Sequence, residues 1–395
     1  MKKVWDKWTR IALVKRILVG LILGAILGIA VPQATGIAIL GDVFVSALKA
    51  IAPLLVFFLV ISSLCNAGKS HGGVIKTVII LYMFSTVLAA VIAVFASMAF
   101  PVKMTLANAA TDTSAPQGIV EVLNNLLLNV VANPVSSLVN ANYVGILMWA
   151  VLLGLAFRVA DKMTKKVLAD VADGISMVVT WIINLAPFGI FGLVFNTVST
   201  NGLDIFTTYG KLLLLLVGCM LFIYFVTNPL LVYWCIRQNP YPLIFQCLKR
   251  SALTAFFTRS SAANIPVNMK VCEEMGLDRD TYSVTIPLGA TINMDGAAIT
   301  ITVMTMATAF TLGIHVDIPT AIILSLLAAL SACGASGVAG GSLLLIPMAC
   351  SLFGISDDIS MQVVAVGFII GVVQDSVETA LNSSSDLLFN LAIST

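Results

Sequence analysis

Long apolar runs dominate the chain and predict a bundle of membrane-crossing helices. Six examples are Ile17–Val31, Ala47–Leu64, Val74–Phe100, Val144–Phe157, Leu212–Trp234 and Ile318–Leu330. A helix needs about 20 apolar residues to cross the hydrocarbon core of a bilayer, and several of these runs approach or reach that length. No ten-residue stretch alternates between apolar and polar positions, which argues against a lipid-embedded β-barrel. The pattern predicts an all-α membrane protein.

Beyond Pro240, two segments are apolar on both flanks and polar or small in the middle. The first is Ala252–Met269, centred on FFTRSSAANIPVNM, and the second is Ala321–Met348, centred on SACGASGVAGGS. Irregular backbone in contact with hydrocarbon would leave unpaired peptide groups, each at a cost of several kcal/mol. Such centres must therefore be buried in protein or line a watery cavity. We interpret both segments as re-entrant helical hairpins.

Each hairpin precedes a span that carries acidic residues. Asn293–Gly296 (NMDG) follows the first hairpin, and Gln374–Asp386 follows the second. This repeated order, a broken hairpin and then a polar helix, is typical of transporters built from inverted repeats. With six helices in residues 1–240 and the hairpins in residues 241–395, we expect eight spans and two hairpins. The hairpins would enter from opposite faces toward one midplane.

The first helix carries glycines at a spacing of four residues, namely Gly20, Gly24 and Gly28. Small residues at this spacing allow two helix backbones to approach closely. The partner helix lies either in the same chain or across an oligomer seam.

Composition and charge support the membrane prediction and give it a direction. Hydrophobic residues make up 59% of the 395 and charged residues 10%, whereas soluble domains carry about 25% charged residues. If the spans alternate, most of the 21 basic residues fall on one side of the membrane. The exceptions are Lys49, Lys103, Lys211 and Arg259. The positive-inside bias then places both termini in the cytoplasm, as expected for a bacterial inner-membrane protein.

The cysteines and histidines indicate no resident metal or cofactor. The seven cysteines form no CxxC pair, and His71 and His315 stand alone. Zinc sites require several such ligands at short spacings. Nothing in the sequence indicates nucleic-acid binding.

Five ionisable residues of the C-terminal third lie at apparent membrane depth: Arg259, Asp295, Asp375, Glu378 and Asp386. Each such charge costs roughly 2.5–3.5 kcal/mol at a helix centre. Thr379 and Asn382 share one face of the last helix with three of the acids. Four acids against one arginine leave an excess of negative charge that needs bound cations or protons. Sodium accepts carboxylate, amide and main-chain oxygens, and a zwitterion supplies an ammonium group.

Four motifs carry a resemblance to a known family: TRSSAANIPVN at Thr258–Asn268, PLGATINMDG at Pro287–Gly296, GASGVAG at Gly334–Gly340, and the Asp375–Asp386 helix. With them the chain resembles the dicarboxylate/amino acid:cation symporters, which include the glutamate transporters. Within that family it is most similar to sodium-coupled symporters of serine and threonine. The resemblance implies the glutamate-transporter-like fold.

The resemblance also implies a substrate site. Asp375 would hold the ammonium group, while Asn382 and main-chain N–H groups would hold the carboxylate. The N–H groups belong to Ser260, Ser261 and Gly337. Arg259, Glu378 and Thr379 complete the implied set.

Three sodium sites follow from the same resemblance. The first would use Asp386 with carbonyl groups of Gly289, Asn293 and Asn382. The second would lie near Thr291, Ala332, Cys333 and Ala335. The third would combine Asp295 and Asn293 with Tyr82, Ser85 and Thr86. The last three hydroxyl groups are equally explained as ordinary contacts between packed helices.

One departure from the family bears on the substrate. Members that carry acidic substrates have arginine at the position of Glu378, where it would clamp a side-chain carboxylate. A glutamate there repels aspartate and glutamate, and Ala297 replaces a polar threonine nearby. These changes favour a small neutral amino acid such as serine or threonine. Glu378 either pairs with Arg259 or accepts the substrate hydroxyl.

The family further implies a homotrimer in lipid. Spans 1, 2, 4 and 5 would form the scaffold, and spans 3, 6, 7, 8 and both hairpins a moving transport domain. Two alternatives are a proton- or sodium-coupled symporter of C4-dicarboxylates or acidic amino acids, and a cation channel. An intramembrane hydrolase is disfavoured, since no histidine or lysine base accompanies the serines. We expect a transporter of a small neutral amino acid with sodium as coupling ion, and not an enzyme.

Overall fold

The computed structural model describes residues 11, 13–66, 73–106, 128, 131–202, 205–333, 335 and 340–394. His71, Gly337 and most of the Gly334–Gly340 motif lie outside them. Within these ranges all regular structure is helical. The helices that precede Pro240 are α1 Leu13–Ala30, α2 Ile39–Asn66, α3 Gly73–Ala99, α4 Pro134–Val139, α5 Tyr143–Ala156, α6 Lys162–Asn184, α7 Ala186–Asn201, α8 Ile205–Phe222 and α9 Asn228–Ile236. Those that follow are α10 Tyr241–Cys247, α11 Leu253–Thr258, α12 Ser261–Glu274, α13 Arg279–Ile292, α14 Asp295–Thr311, α15 Ile318–Ala332, α16 Ile346–Ser351 and α17 Asp357–Ser394.

Several of these helices can cross a membrane. In the described part of the chain, six helical segments are long and apolar enough by length and composition: Thr35–Asn66, Gly73–Ala99, Lys162–Asn184, Phe206–Ile236, Thr281–Thr311 and Asp357–Ile393. Four shorter apolar helices lie among them. The predicted all-α membrane class is therefore confirmed.

The helices pack in two groups. In the first, α2 lies against α5, α6 and α7, and α1 lies along α7. In the second, α3 packs against α14 and α15, and α17 contacts α3 and each helix from α11 to α14. Because α17 contacts so many neighbours, its polar face is enclosed on several sides. The buried polar site described below lies in this enclosed region.

The glycines of α1 pack within the chain. Their buried backbone meets the carbonyl groups of α7, and a Cβ on Gly24 would lie 2.6 Å from the carbonyl oxygen of Phe191. A Cβ on Gly28 would lie 3.0 Å from the carbonyl oxygen of Phe195. Of the two partners considered for this glycine face, a helix of the same chain is the one found.

Helices end within both of the polar segments that the sequence analysis identified beyond Pro240. Between α11 and α12, Arg259 adopts a left-handed conformation with φ of 53°. Ser260 is extended, and its hydroxyl oxygen accepts a hydrogen bond from the Ala263 N–H at 3.2 Å, which caps α12. The second break follows Ala332, and helical structure is described again from Ser342. A third break, at Asn293–Met294, separates α13 from α14.

We predict that Gly24→Leu destabilises the protein by about 1–3 kcal/mol, because the new side chain would force α1 away from α7. Thermal unfolding of the purified protein in detergent measures the loss. Gly174→Leu on α6 is the matched control, since a Cβ there meets no atom within 4 Å. Equal melting temperatures for the two variants would show that the close approach of α1 and α7 contributes nothing.

Candidate functional site

One face of α17 forms the floor of a buried polar site. Its five polar residues are at most 6% exposed: Asp375, Glu378, Thr379, Asn382 and Asp386. They share this face because their spacings of three and four residues match the helical repeat. The stripe predicted from the sequence is thus one continuous buried surface, turned toward α11 to α14.

At one end of this face, Asp375 forms an ion pair with Arg259. The Arg259 Nε lies 2.6 Å from Asp375 Oδ2, and the two side chains are 10% and 4% exposed. The Gly340 N–H donates to the other carboxylate oxygen at 3.1 Å. The break between α11 and α12 and the segment after α15 therefore both meet α17 at this carboxylate.

One turn along α17, the partners of Glu378 among the described residues are all neutral. Its Oε2 accepts hydrogen bonds from the Thr300 hydroxyl at 2.7 Å and the Ser342 hydroxyl at 2.9 Å. The Gln374 amide also donates to it. The sequence left two roles open for Glu378, an ion pair with Arg259 or a contact with the substrate hydroxyl. The ion pair is not present in this structure, where Arg259 pairs with Asp375. The three donors around this carboxylate were not anticipated, because they come from α14, the second break and the preceding turn.

Deeper in the site, Asn293 and Asp386 lie in contact. The Asn293 Nδ2 donates to Asp386 Oδ1 at 2.9 Å and approaches the Asn382 carbonyl oxygen at 3.4 Å. A Cβ on Gly289 would lie 2.7 Å from Asp386 Oδ1, so a side chain at this position would push the carboxylate away. These four residues are the ones assigned to the first sodium. The Asn293 Oδ1 is buried and has no hydrogen-bond partner in the part of the chain that the structure describes, which leaves an oxygen available to a cation.

A second carboxylate cluster lies between α14 and α3. Asp295 accepts hydrogen bonds from the Ser85 hydroxyl at 2.8 Å and the Thr86 hydroxyl at 3.2 Å. The Ser85 hydroxyl also lies 3.2 Å from Asn228 Oδ1 on α9. Asn228 was missed from the sequence, although it directly follows a π-helical turn, Ile223–Thr227. Such turns often occur at functional sites.

The side chain of Tyr82 points toward Asp386. Its hydroxyl is 3.2 Å from the main-chain oxygen of Asp386 and 3.3 Å from that of Thr285. The Asn390 amide donates to it at 2.6 Å. The main chain of Tyr82 stays beside the Asp295 cluster, because the Thr86 hydroxyl that bonds Asp295 also donates to the Tyr82 carbonyl at 2.9 Å. The three residues grouped for the third sodium are therefore joined through this carbonyl, while the Tyr82 ring reaches Asp386.

The residues assigned to the second sodium lie where α15 ends beside α13. The Cys333 Sγ is 3.6 Å from the Ile292 carbonyl oxygen, one residue beyond Thr291. The Thr291 hydroxyl donates to the Leu288 carbonyl at 2.8 Å. The Ala335 N–H donates to the Ala332 carbonyl at 2.9 Å. The ends of these two helices are therefore in contact.

The remaining substrate candidates lie around the same floor. Ser260 and Ser261 begin α12, where main-chain N–H groups lack partners within the helix. The Thr379 hydroxyl bonds the Asp375 carbonyl of its own helix at 2.8 Å. Asn382 accepts from the Gly296 N–H at 2.7 Å, and its Nδ2 has only a weak contact of 3.4 Å with Met294 Sδ.

A further polar cluster, not anticipated from the sequence, joins α12 to α17. The Asn264 Nδ2 donates to the Ser383 hydroxyl at 2.8 Å and to the Ser251 hydroxyl at 3.0 Å. The Asn268 Nδ2 donates to the Ser383 carbonyl at 2.8 Å. The sequence signal that could have predicted this cluster is the pair of asparagines four residues apart within an apolar stretch. These bonds hold α12 firmly against α17.

Comparison with known proteins agrees with this geometry. The family model described as the sodium:dicarboxylate symporter family matches residues 13–395. The chain belongs to this family. The sodium:dicarboxylate symporter assignment confirms the resemblance drawn from the four motifs. As a member with several helices that can span a bilayer, the chain is a multi-pass membrane protein.

Two curated relatives in this symporter family are similar to the chain along nearly all its length. The serine/threonine transporter SstT of Bifidobacterium adolescentis is 58% identical over 390 residues, 98% of this chain and 91% of the relative. The serine/threonine transporter SstT of a Streptococcus thermophilus strain is 56% identical over 390 residues, 98% of this chain and 97% of the relative.

Proposed function

We propose that this chain is a sodium-coupled symporter that carries serine and threonine into the cell. One observation carries the proposal. Among the described residues, Asp295, Glu378 and Asp386 are buried without a cationic side chain beside them, whereas the fourth buried acid of the site, Asp375, pairs with Arg259. Carboxylates in a membrane interior need positive charge or protons, and travelling sodium ions supply that charge. The names of the two relatives support serine and threonine as substrates.

Sodium would bind at the two carboxylate clusters. Asp386 offers a carboxylate beside the unpartnered Asn293 oxygen and the Asn382 carbonyl. Asp295 offers a second carboxylate beside the hydroxyl groups of Ser85 and Thr86. Oxygen ligands of this kind suit hard cations. A third ion would bind where Cys333 meets the end of α13, close to Thr291.

The substrate ammonium would bind Asp375. Both oxygens of this carboxylate are already engaged, one by Arg259 and the other by the Gly340 N–H. The incoming ammonium must therefore displace or share one of these contacts, so substrate binding is an exchange of partners. The substrate carboxylate would use the Asn382 amide, whose present sulfur contact is weak, and the N–H groups of Ser260 and Ser261 at the start of α12.

Glu378 would set the preference for short neutral side chains. It lies one turn from Asp375 and is surrounded by hydroxyl donors, so a serine or threonine hydroxyl suits its surroundings. An acidic side chain would meet like charge here. Transport of a C4-dicarboxylate, which the family description raises as the second candidate, requires this repulsion to be overcome.

For the architecture, we propose eight spans and two re-entrant hairpins. The break at Arg259 and Ser260 would be the tip of one hairpin, and the segment after Ala332 the tip of the other. The packing supports a scaffold of spans 1, 2, 4 and 5 and a transport domain that takes span 3 (α3), span 6 (α8 and α9) and residues 241–395, since α17 contacts α3, α8 and α9. The family favours a homotrimer in the bacterial inner membrane with cytoplasmic termini.

The decisive experiment is uptake by the purified protein in liposomes. With sodium higher outside, we expect labelled serine to accumulate above its outside concentration, because ion entry drives it. Excess threonine should compete, and succinate and aspartate should not. A sodium ionophore is the control for the gradient. Passive equilibration of serine would indicate a channel, and inhibition by succinate alone would indicate a dicarboxylate symporter.

Asp375→Asn should reduce serine uptake at least about 30-fold, the factor that corresponds to ~2 kcal/mol for a buried charge pair. The protein should remain folded, since the amide oxygen still accepts a hydrogen bond from Arg259. Asp358→Asn, at the exposed start of the same helix, is the matched control and should transport normally. Near-normal uptake by the Asp375 variant would remove that residue from the site.

Glu378→Arg should reduce serine uptake about tenfold or more, equal to ~1.4 kcal/mol, and allow aspartate to compete. The reason is that a cation replaces the charge that repels acidic side chains. Glu378→Gln keeps the size and an acceptor oxygen, and should admit no aspartate. Competition assays in the same liposomes measure both. Serine uptake that is unchanged in the arginine variant would place Glu378 outside the pocket.

A further inference from the structure

A long apolar groove runs between α3 and α8, away from the polar site. It encloses about 880 Å³. Its α3 side extends from Ile92 to Val102 and its α8 side from Lys211 to Phe222. None of the residues assigned to sodium or substrate lines it.

Small residues create the groove and large ones border it. The contact between the two helices carries small side chains, namely Ala96, Ala99 and Gly218. A Cβ on Gly218 would meet no atom within 4 Å. Phe95 and Leu214 are 55% and 74% exposed. In a membrane protein such an exposed apolar surface faces hydrocarbon, so the groove is shaped to hold a flexible chain.

A single basic residue stands at one end of this groove. Lys211 is exposed and is the sole charged residue in the lining. It has no ion pair or hydrogen bond to any residue that the structure describes. The sequence places it, with Lys103, among the few basic residues on the side of the membrane that is otherwise poor in positive charge.

The position of Lys211 fits the surface of a bilayer. It lies near the start of α8, beside the end of α3 and the connection at Phe100–Val102. From Lys211 to Phe222 the helix descends eleven residues, about 16 Å. That depth matches one leaflet, since the whole hydrocarbon core is about 30 Å thick.

We propose that this groove binds an anionic phospholipid. One acyl chain lies on the small residues between α3 and α8, and the phosphate group meets the Lys211 ammonium. Basic residues close to an anionic lipid surface each add attraction for the headgroup. This lipid site shares no residue with the transport site, so an experiment can disprove lipid binding without affecting the proposed transport function.

Native mass spectrometry of the full-length protein in detergent tests the proposal. The protein is titrated with phosphatidylglycerol and with phosphatidylcholine that has the same acyl chains. Lys211→Gln removes the charge, and Lys103→Gln is its control on the same side of the membrane. Gly218→Leu fills the groove. Gly210→Leu is its control on the same helix, because its added side chain also meets open space and does not enter the lining.

We expect phosphatidylglycerol to bind more tightly than phosphatidylcholine. Lys211→Gln should lower phosphatidylglycerol affinity about fivefold, the factor for one basic residue at a lipid surface, and lower phosphatidylcholine affinity less, because the choline cation offsets the attraction of its phosphate. Gly218→Leu should weaken both lipids, and the two controls neither. Equal binding of the two lipids to the unmodified protein, or equal effects of Lys211→Gln and Lys103→Gln, would overturn the proposal.

Discussion

Burial of negative charge is the constraint that shapes this protein. Asp295, Glu378 and Asp386 lie in the interior with hydroxyl and amide donors as their described partners. Neutral donors lower the cost of a buried carboxylate without cancelling its charge. In the proposed function, cations complete these sites, and any ion that binds the folded state stabilises it by mass action. Transport and stability would then be linked through the same three side chains.

The arrangement of the helices places hydrogen-bond donors around these buried acids. No single helix can surround a carboxylate, so α17 gathers neighbours from both halves of the chain. Ser85 and Thr86 come from α3, Thr300 from α14 and Ser342 from the second break. The breaks matter for the same reason. The first brings the Arg259 side chain to Asp375, and the second brings the Gly340 N–H, which a continuous helix would bond internally.

Sequence patterns predicted those structural features that depend on a single segment of the chain. Apolar runs gave the membrane class, and the polar centre at Arg259–Ser260 predicted a helix break that is present. Contacts between distant segments were harder. A stripe on α17 cannot reveal whether Asp375 or Glu378, one turn apart, meets Arg259, because the answer depends on a left-handed turn 116 residues earlier. The placement of Tyr82 beside Asp386 is a similar case.

The bond between Ser85 and Asp295 has a consequence for how the chain is made. The two residues are 210 positions apart, so at about 5–20 residues per second α3 is synthesised roughly 10–40 seconds before its partner. During that interval the Ser85 hydroxyl has no carboxylate to bond. The third helix therefore enters the bilayer before its final neighbours exist, and assembly of the core is completed only after the last helix has left the ribosome.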